Sequence, residues 1–100
     1  MDNSSAITPK GRRLSTHAAI DSLRRHGFRN LSEVDHVIDN ALRITTQSDG
    51  ATVYIQRVGG RRRKYNIVIV GNRGIVTGLR EISPGELRRL GQNHGFDSNP

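Results

Sequence analysis

The spacing of hydrophobic residues divides the chain into a helical half and a strand-forming half. Two helices are predicted in the first half. One spans 15–27 and ends at Gly27, a residue type that favours helix C-termini. The other spans 32–42, begins at Ser32 as its N-cap and carries a clear apolar stripe. Each helix therefore has one face that needs a hydrophobic surface to pack on.

Beyond the second helix, apolar and polar residues alternate, which is typical of β-strands. The four predicted strands are 43–48, 52–58, 62–70 and 75–80. Asp49 and Gly50, and then Gly59 and Gly60, are predicted to form two-residue hairpin turns, because these residue types tolerate positive φ. The third strand ends in the apolar run 67–70, which predicts a central strand buried on both faces.

One more helix is predicted near the end of the chain. Ser83 and Glu86 have the spacing of a capping box around Pro84, and the short helix 84–90 stops at Gly91. The predicted class is therefore α+β: two N-terminal helices packed on a four-stranded antiparallel meander sheet, with a short C-terminal helix. One sheet face is expected to pack on the helices and the other to stay partly open.

A chain of 100 residues has room for a single core. We expect residues 15–91 to form that one domain. Residues 1–14 are predicted to be a flexible basic arm or the stub of a linker, and residues 92–100 a frayed tail. The hydrophobic content of 33% is low for a globular chain and agrees with disordered ends.

The charge of the chain points to a polyanionic partner. The formal net charge is +7 and the sequence pI is about 11.3. All of the 16 basic residues except Lys10 and Lys64 are arginine, whose planar fork of donors suits phosphate groups. Such a composition favours nucleic acid over an acidic protein or a membrane surface. A basic surface that only improves solubility is the alternative.

Several classes of chemistry are excluded or disfavoured by composition. The absence of cysteine excludes disulfides, thiolate zinc sites and a cysteine nucleophile. No apolar run reaches membrane-spanning length and no signal peptide is recognisable, so we expect a soluble protein without membrane anchoring, working in a reducing cytosol. Neither a phosphate-binding glycine loop nor an acidic cluster for magnesium is present, so no metal or cofactor is expected.

RNA cleavage needs no metal, because the 2′-OH can attack the adjacent phosphate when side chains move protons and stabilise charge. His17 is the first candidate for proton transfer. It shares a helical face with Asp21, which would orient the imidazole, and with Arg24, which would bind phosphate. A solvated face of ordinary ion pairs explains the same spacing equally well.

The strand region supplies the other candidate residues. A basic run follows the second predicted turn and is expected to bind RNA backbone; its members are Arg61, Arg62, Arg63 and Lys64. Arg57 lies across the same hairpin, and Tyr65 offers stacking, a hydroxyl or simply core packing. Thr77 and Arg80 would lie on opposite sheet faces in a regular strand, so one site containing both requires a bulge or twist.

The order of these features resembles a known nuclease superfamily. The segments HAAIDSLRRHGF, LSEVDHVIDNAL, DGATVYIQRV, KYNIVIV and GIVTGLRE occur in that order over residues 15–90. They resemble the barnase, EndoU, colicin and RelE-like ribonucleases, and within these the toxin domains of contact-dependent inhibition. The helical histidine and the segment IVTGLRE are the most specific parts of the resemblance.

The resemblance implies a metal-independent endoribonuclease toxin, often a tRNase, with an acidic immunity or antitoxin protein as partner. It implies His17 as the catalytic histidine, Arg57 or the basic run as phosphate ligands, and Thr77 as a hydrogen-bond donor to the scissile phosphate. It also implies action in the bacterial cytoplasm, after delivery from a larger secreted protein. The arrangement requires His17 to lie beside the face that carries Thr77. The alternative is a non-catalytic RNA- or DNA-binding module; the +7 charge disfavours an immunity protein.

Overall fold

The structure, a computed structural model, describes residues 6–99. Its helices are α1 (Ala18–Arg25), α2 (Leu31–Asp39) and α3 (Pro84–His94), and its strands are β1 (Arg43–Thr46), β2 (Thr52–Val58), β3 (Lys64–Gly71) and β4 (Gly74–Ile82). The strands form one four-stranded sheet in the order β1-β2-β3-β4, and every neighbouring pair is antiparallel. The predicted α+β class and the meander are therefore confirmed.

Helices α1 and α2 cover one face of the sheet. Leu23 of α1 and Val34 of α2 are buried against Val68 of β3 in a hydrophobic cluster. Gly78 of β4 lies directly under this layer, and a Cβ there would be 2.6 Å from the Ile67 carbonyl oxygen. Glycine at that position lets α1 pack closely on the sheet.

The second face of the sheet is covered as well, which differs from the partly open face expected from the sequence. Helix α3 packs Leu87 onto Tyr65 and Ile67 of β3, and Phe96 joins the same cluster. The alternation of β3 separates these residues from Val68, so the sheet has a hydrophobic core on each side. The apolar run of β3 is buried on both faces, as predicted.

The arm is part of the fold from residue 6 onward, which corrects the prediction of a flexible segment. Leu14 and Thr8 are buried. Asp35 of α2 is also buried, and its carboxylate accepts hydrogen bonds from the Lys10 amide at 3.0 Å and from Arg12 Nη1 at 2.9 Å. Charge pairing with α2 therefore holds this segment in place. Residues 1–5 of the predicted arm lie outside the described residues.

The predicted tail is also ordered along most of its length. Helix α3 continues past Gly91 to His94 and ends at Gly95, which has φ of 70°. Phe96 is 7% exposed, and Asp97 pairs with Arg43 of β1. A buried aromatic residue after a left-handed glycine anchors the chain beyond the helix. Residue 100 lies outside the described residues.

Two local predictions about termini and turns were wrong. The N-cap of α2 is Asn30, whose side chain accepts from the Glu33 amide at 3.1 Å; the Ser32 hydroxyl instead donates to Asn30. The second hairpin has a longer loop than two residues, because Val58 pairs with Lys64. Residues 61–63 therefore belong to a loop, and the strand alternation expected for the basic run does not apply to them.

The free edge of β4 is covered by the segments that flank α1. The Ser15 amide donates to the Ile75 carbonyl at 2.8 Å, and the Arg80 amide donates to the His26 carbonyl at 3.2 Å. Helix α1 is therefore held alongside β4 at both ends. This contact protects an edge strand and fixes where the polar residues of α1 stand relative to the sheet.

Candidate nucleic-acid interface

Only some of the basic side chains in the structure form ion pairs with carboxylates. Ion pairs within residues 6–99 engage five basic residues: Lys10, Arg12, Arg29, Arg43 and Arg80. None of these pairs includes any other arginine of the described segment or Lys64. The unpaired arginines are the side chains with charge available for a polyanion.

The first group of predicted site residues lies on the solvent side of α1. His17 occupies the N-cap position without a side-chain capping bond, and it is exposed. Asp21 and Arg24 are exposed on the same side of the helix. The structure therefore brings these three residues together on one accessible face, as the sequence predicted.

Thr77 contacts α1 but on a different side of the helix. Its Oγ1 lies 2.6 Å from Ser22 Oγ, so the two hydroxyls form a hydrogen bond. Ser22 follows His17 by five residues, which places it about 140° around the helix. Thr77 pairs with Ile69, which packs on the α3 side of the sheet, so its hydroxyl reaches Ser22 across the edge of β4. The Thr77 hydroxyl is therefore turned away from the face formed by His17, Asp21 and Arg24.

Arg80 is held by protein groups. Its guanidinium donates to the Gly27 carbonyl at 3.3 Å and to Glu33 at 3.4 Å, and it lies 3.8 Å from Glu81. Burial alone would raise the pKa of Glu33. The hydrogen bond from the Arg29 amide and the charges of Arg80 and Arg29 outweigh this effect, so the pKa of Glu33 is lowered. These contacts tie β4 to the α1–α2 connection and compensate the charge of Arg80.

Strand β4 contains two register shifts, but neither lies between Thr77 and Leu79, which pair regularly with Ile69 and Ile67. The register of β4 against β3 shifts twice, once beside Val76 and once beside Arg80 and Glu81. Glu81 has φ of 54°, an uncommon value for a residue other than glycine. The Thr77 hydroxyl bonds Ser22 and the Arg80 guanidinium bonds the Gly27 carbonyl, because α1 and its flanking residues lie along the edge of β4.

A second group of predicted site residues lies on the α3 face of the sheet. Arg57 stands directly opposite Tyr65 in the β2–β3 ladder, so both side chains project from this face. A cavity of about 400 Å³ opens on the same face; its lining residues are Arg63, Tyr65, Pro84, Leu87, Arg88, Asp97, Ser98 and Asn99. Tyr65 is only 2% exposed, so packing explains most of its surface. This face carries arginine from three elements at one end of the sheet.

The remaining predicted RNA-binding residues lie near the tip of the β2–β3 hairpin. Arg61 and Arg62 are exposed in the loop. Lys64 begins β3 and is half-buried, and by strand alternation it lies on the face of Val68. The basic run therefore spans both faces at this end of the sheet.

Sequence reasoning missed Arg88 and the wall formed by residues 97–99. Their position depends on tertiary packing of Phe96 and on the ion pair between Asp97 and Arg43. The sequence signal was Phe96 itself, a large apolar residue just after a helix-ending glycine. A larger cavity of about 470 Å³ at the other end of the sheet has no basic residue in its lining, so it is a poorer candidate for an anion.

Among residues 6–99, no cluster of three or more histidine, cysteine, aspartate or glutamate side chains is arranged to hold a metal ion. None of the helices in this part of the chain is long and apolar enough to cross a bilayer. Comparison with protein-family models, curated proteins and solved structures found no match to the chain.

Proposed function

We propose that this chain is a metal-independent endoribonuclease domain that cleaves RNA, with tRNA as the favoured substrate class. The observation that carries the proposal is the exposed face of α1 formed by His17, Asp21 and Arg24. It combines a group for proton transfer, a carboxylate and a cation on one accessible surface. Those are the parts that phosphodiester transfer to a 2′-OH requires.

In the proposed reaction the 2′-OH attacks the adjacent phosphorus and loses its proton, and the 5′-oxygen of the next nucleotide leaves and gains one. The products are a 2′,3′-cyclic phosphate and a 5′-hydroxyl. His17 performs one of the two proton transfers, and Asp21, one helical turn away, orients the imidazole. Arg24 stabilises the additional negative charge on the phosphate.

The other catalytic candidates take supporting parts in the proposal. Thr77 is the assigned donor to the scissile phosphate, and its bond to Ser22 must open for it to serve that role. Arg57 and Tyr65 lie on the α3 face, so their proposed contact is with RNA outside the His17 face. Arg80, already bonded to Glu33 and Gly27, positions β4.

The proposal includes a toxin role in the bacterial cytoplasm, after delivery by a larger secreted protein. The net charge of +7 supports an acidic immunity or antitoxin protein as the partner, since complementary potentials steer and stabilise association. Production of the chain in bacteria without this partner protein is then expected to slow their growth.

A non-catalytic RNA- or DNA-binding module is the second candidate. It is favoured by the position of Arg57, Arg63 and Arg88, which lie on the opposite sheet face from α1 and its histidine. A protein that only binds nucleic acid would use this arginine-rich face and would not need His17. The two candidates therefore differ in what the loss of His17 does.

The discriminating experiment compares wild type, His17→Ala and His36→Ala on purified tRNA in the presence of a chelator. His36 is an exposed histidine of α2 and serves as the matched control. The nuclease proposal predicts cleavage by wild type and His36→Ala, and none by His17→Ala, whose RNA affinity is retained. Absence of cleavage by freshly purified wild type would reject the enzyme and leave the binding module.

A further inference from the structure

The cavity on the α3 face has the charge of an anion-binding site. Arg63 comes from the β2–β3 loop and Arg88 from α3, and both residues are exposed and line the same cavity. Neither takes part in an ion pair within the described segment. Two arginines from separate elements, neither of them in an ion pair, therefore line one cavity, and an anion bound there would reduce the repulsion between their charges.

The one carboxylate in the cavity lining does not cancel this charge. Asp97 pairs with Arg43 of β1, a residue outside the cavity lining, so its negative charge is already compensated. Ser98 and Asn99 beside it add a hydroxyl and an amide to the lining. The lining therefore combines net positive charge with neutral hydrogen-bonding groups.

The remaining walls and the size indicate a ligand larger than a lone phosphate ion. Pro84 is the exposed apolar residue of the lining, whereas Tyr65 and Leu87 offer little surface because they are 2% and 1% exposed. Its volume of about 400 Å³ falls within the usual range for small-molecule pockets. A nucleotide has the matching composition, with a phosphate for the arginines and a flat base for Pro84.

We propose that this cavity binds one nucleotide of a single-stranded polynucleotide, with its phosphate between Arg63 and Arg88 and its base or sugar against Pro84. The inference rests on the proposal that the chain binds RNA, and it adds a strand-holding site remote from His17. Because the cavity and α1 lie on opposite faces of the sheet, the site holds RNA that extends beyond the cleaved bond.

The test uses the full chain and a fluorescent ten-nucleotide 2′-O-methyl RNA, which binds as RNA but lacks the attacking hydroxyl. Binding is measured by anisotropy over a salt series for wild type, Arg63→Gln, Arg88→Gln and Arg89→Gln. Arg89 is the matched control, because it is exposed on the same helix and does not line the cavity. Thermal melting of each variant verifies that the fold is intact.

We expect Arg63→Gln and Arg88→Gln each to raise Kd roughly tenfold, and Arg89→Gln to raise it about twofold. The slope of log K against log salt should fall by about 0.7 for the two cavity variants. Titration with uridine 5′-monophosphate separates two ligand sources. If the NMR resonances of Tyr65 and Leu87 shift in this titration, the site also binds free nucleotides. If they do not shift, the site binds only nucleotides that are part of a strand.

Equal Kd values for Arg88→Gln and Arg89→Gln, with intact binding by wild type, would overturn this inference alone. Because the oligonucleotide cannot be cleaved, this binding test remains valid even if the nuclease proposal fails. If wild type shows no affinity for the oligonucleotide, the inference and RNA binding both fail.

Discussion

Replacing Asp35 by alanine tests whether residues 6–14 belong to the cooperative fold. The Asp35 carboxylate is buried and accepts bonds from the Lys10 amide and from Arg12. Hydrogen bonds to charged groups contribute about 1.5–3 kcal/mol each. The freed Lys10 amide and the Arg12 guanidinium regain water and Arg12 keeps Asp39, so we expect a net loss of about 2 kcal/mol rather than the sum.

That loss corresponds to a fall in Tm of roughly 8–16 °C for a domain of this size. Asp39→Ala is the matched control. Its carboxylate also pairs with Lys10 and Arg12, but it is more exposed, so its loss should change Tm much less. Limited trypsin digestion gives an independent readout, because cleavage after Arg12 should accelerate in Asp35→Ala. Equal melting temperatures and equal digestion rates for the two variants would refute the idea that the arm is held by α2.

Two further predictions concern stability. Asp35 and Glu33 have lowered pKa values in the folded protein. Their contribution to the free energy of unfolding is therefore complete above their pKa in the unfolded chain, about 4, and is lost as the pH falls through their pKa values in the folded protein. Chemical denaturation between pH 7 and pH 3 should show this loss, and a flat profile would contradict it. Gly78→Ala should destabilise by about 2 kcal/mol, because its Cβ would be 2.6 Å from the Ile67 carbonyl oxygen. Gly60→Ala, which meets no atom within 4 Å, should stay within about 0.5 kcal/mol of wild type in the same assay.

Elements defined by local sequence were predicted well. The bounds of β2 agree with the alternation of residues 52–58, and the capping box of Ser83 and Glu86 is present at the start of α3. The position of α3 on the second sheet face was missed, since a short amphipathic helix carries no signal for which face it covers. The order of residues 6–14 was missed as well, because it depends on pairing with Asp35, 23 residues beyond Arg12.

The candidate site was predicted in part. The shared face of His17, Asp21 and Arg24 follows from helical spacing and is present. Sequence spacing did not predict that the Thr77 hydroxyl would bond Ser22, because that contact is set by how α1 packs on β4. It also did not predict Arg88 beside Arg63, which depends on α3 folding over the sheet.

The chemistry of the RNA ends tests the central proposal most directly. Purified tRNA is incubated with wild type and with His17→Ala prepared in the same way, and the new ends are identified by sequencing after selective end repair. His17 makes no side-chain capping bond, so its loss should leave stability nearly unchanged. We expect 2′,3′-cyclic phosphate and 5′-hydroxyl ends with wild type and none with His17→Ala. Intact tRNA, ends that carry a 5′-phosphate, or equal cleavage by His17→Ala would contradict the proposal.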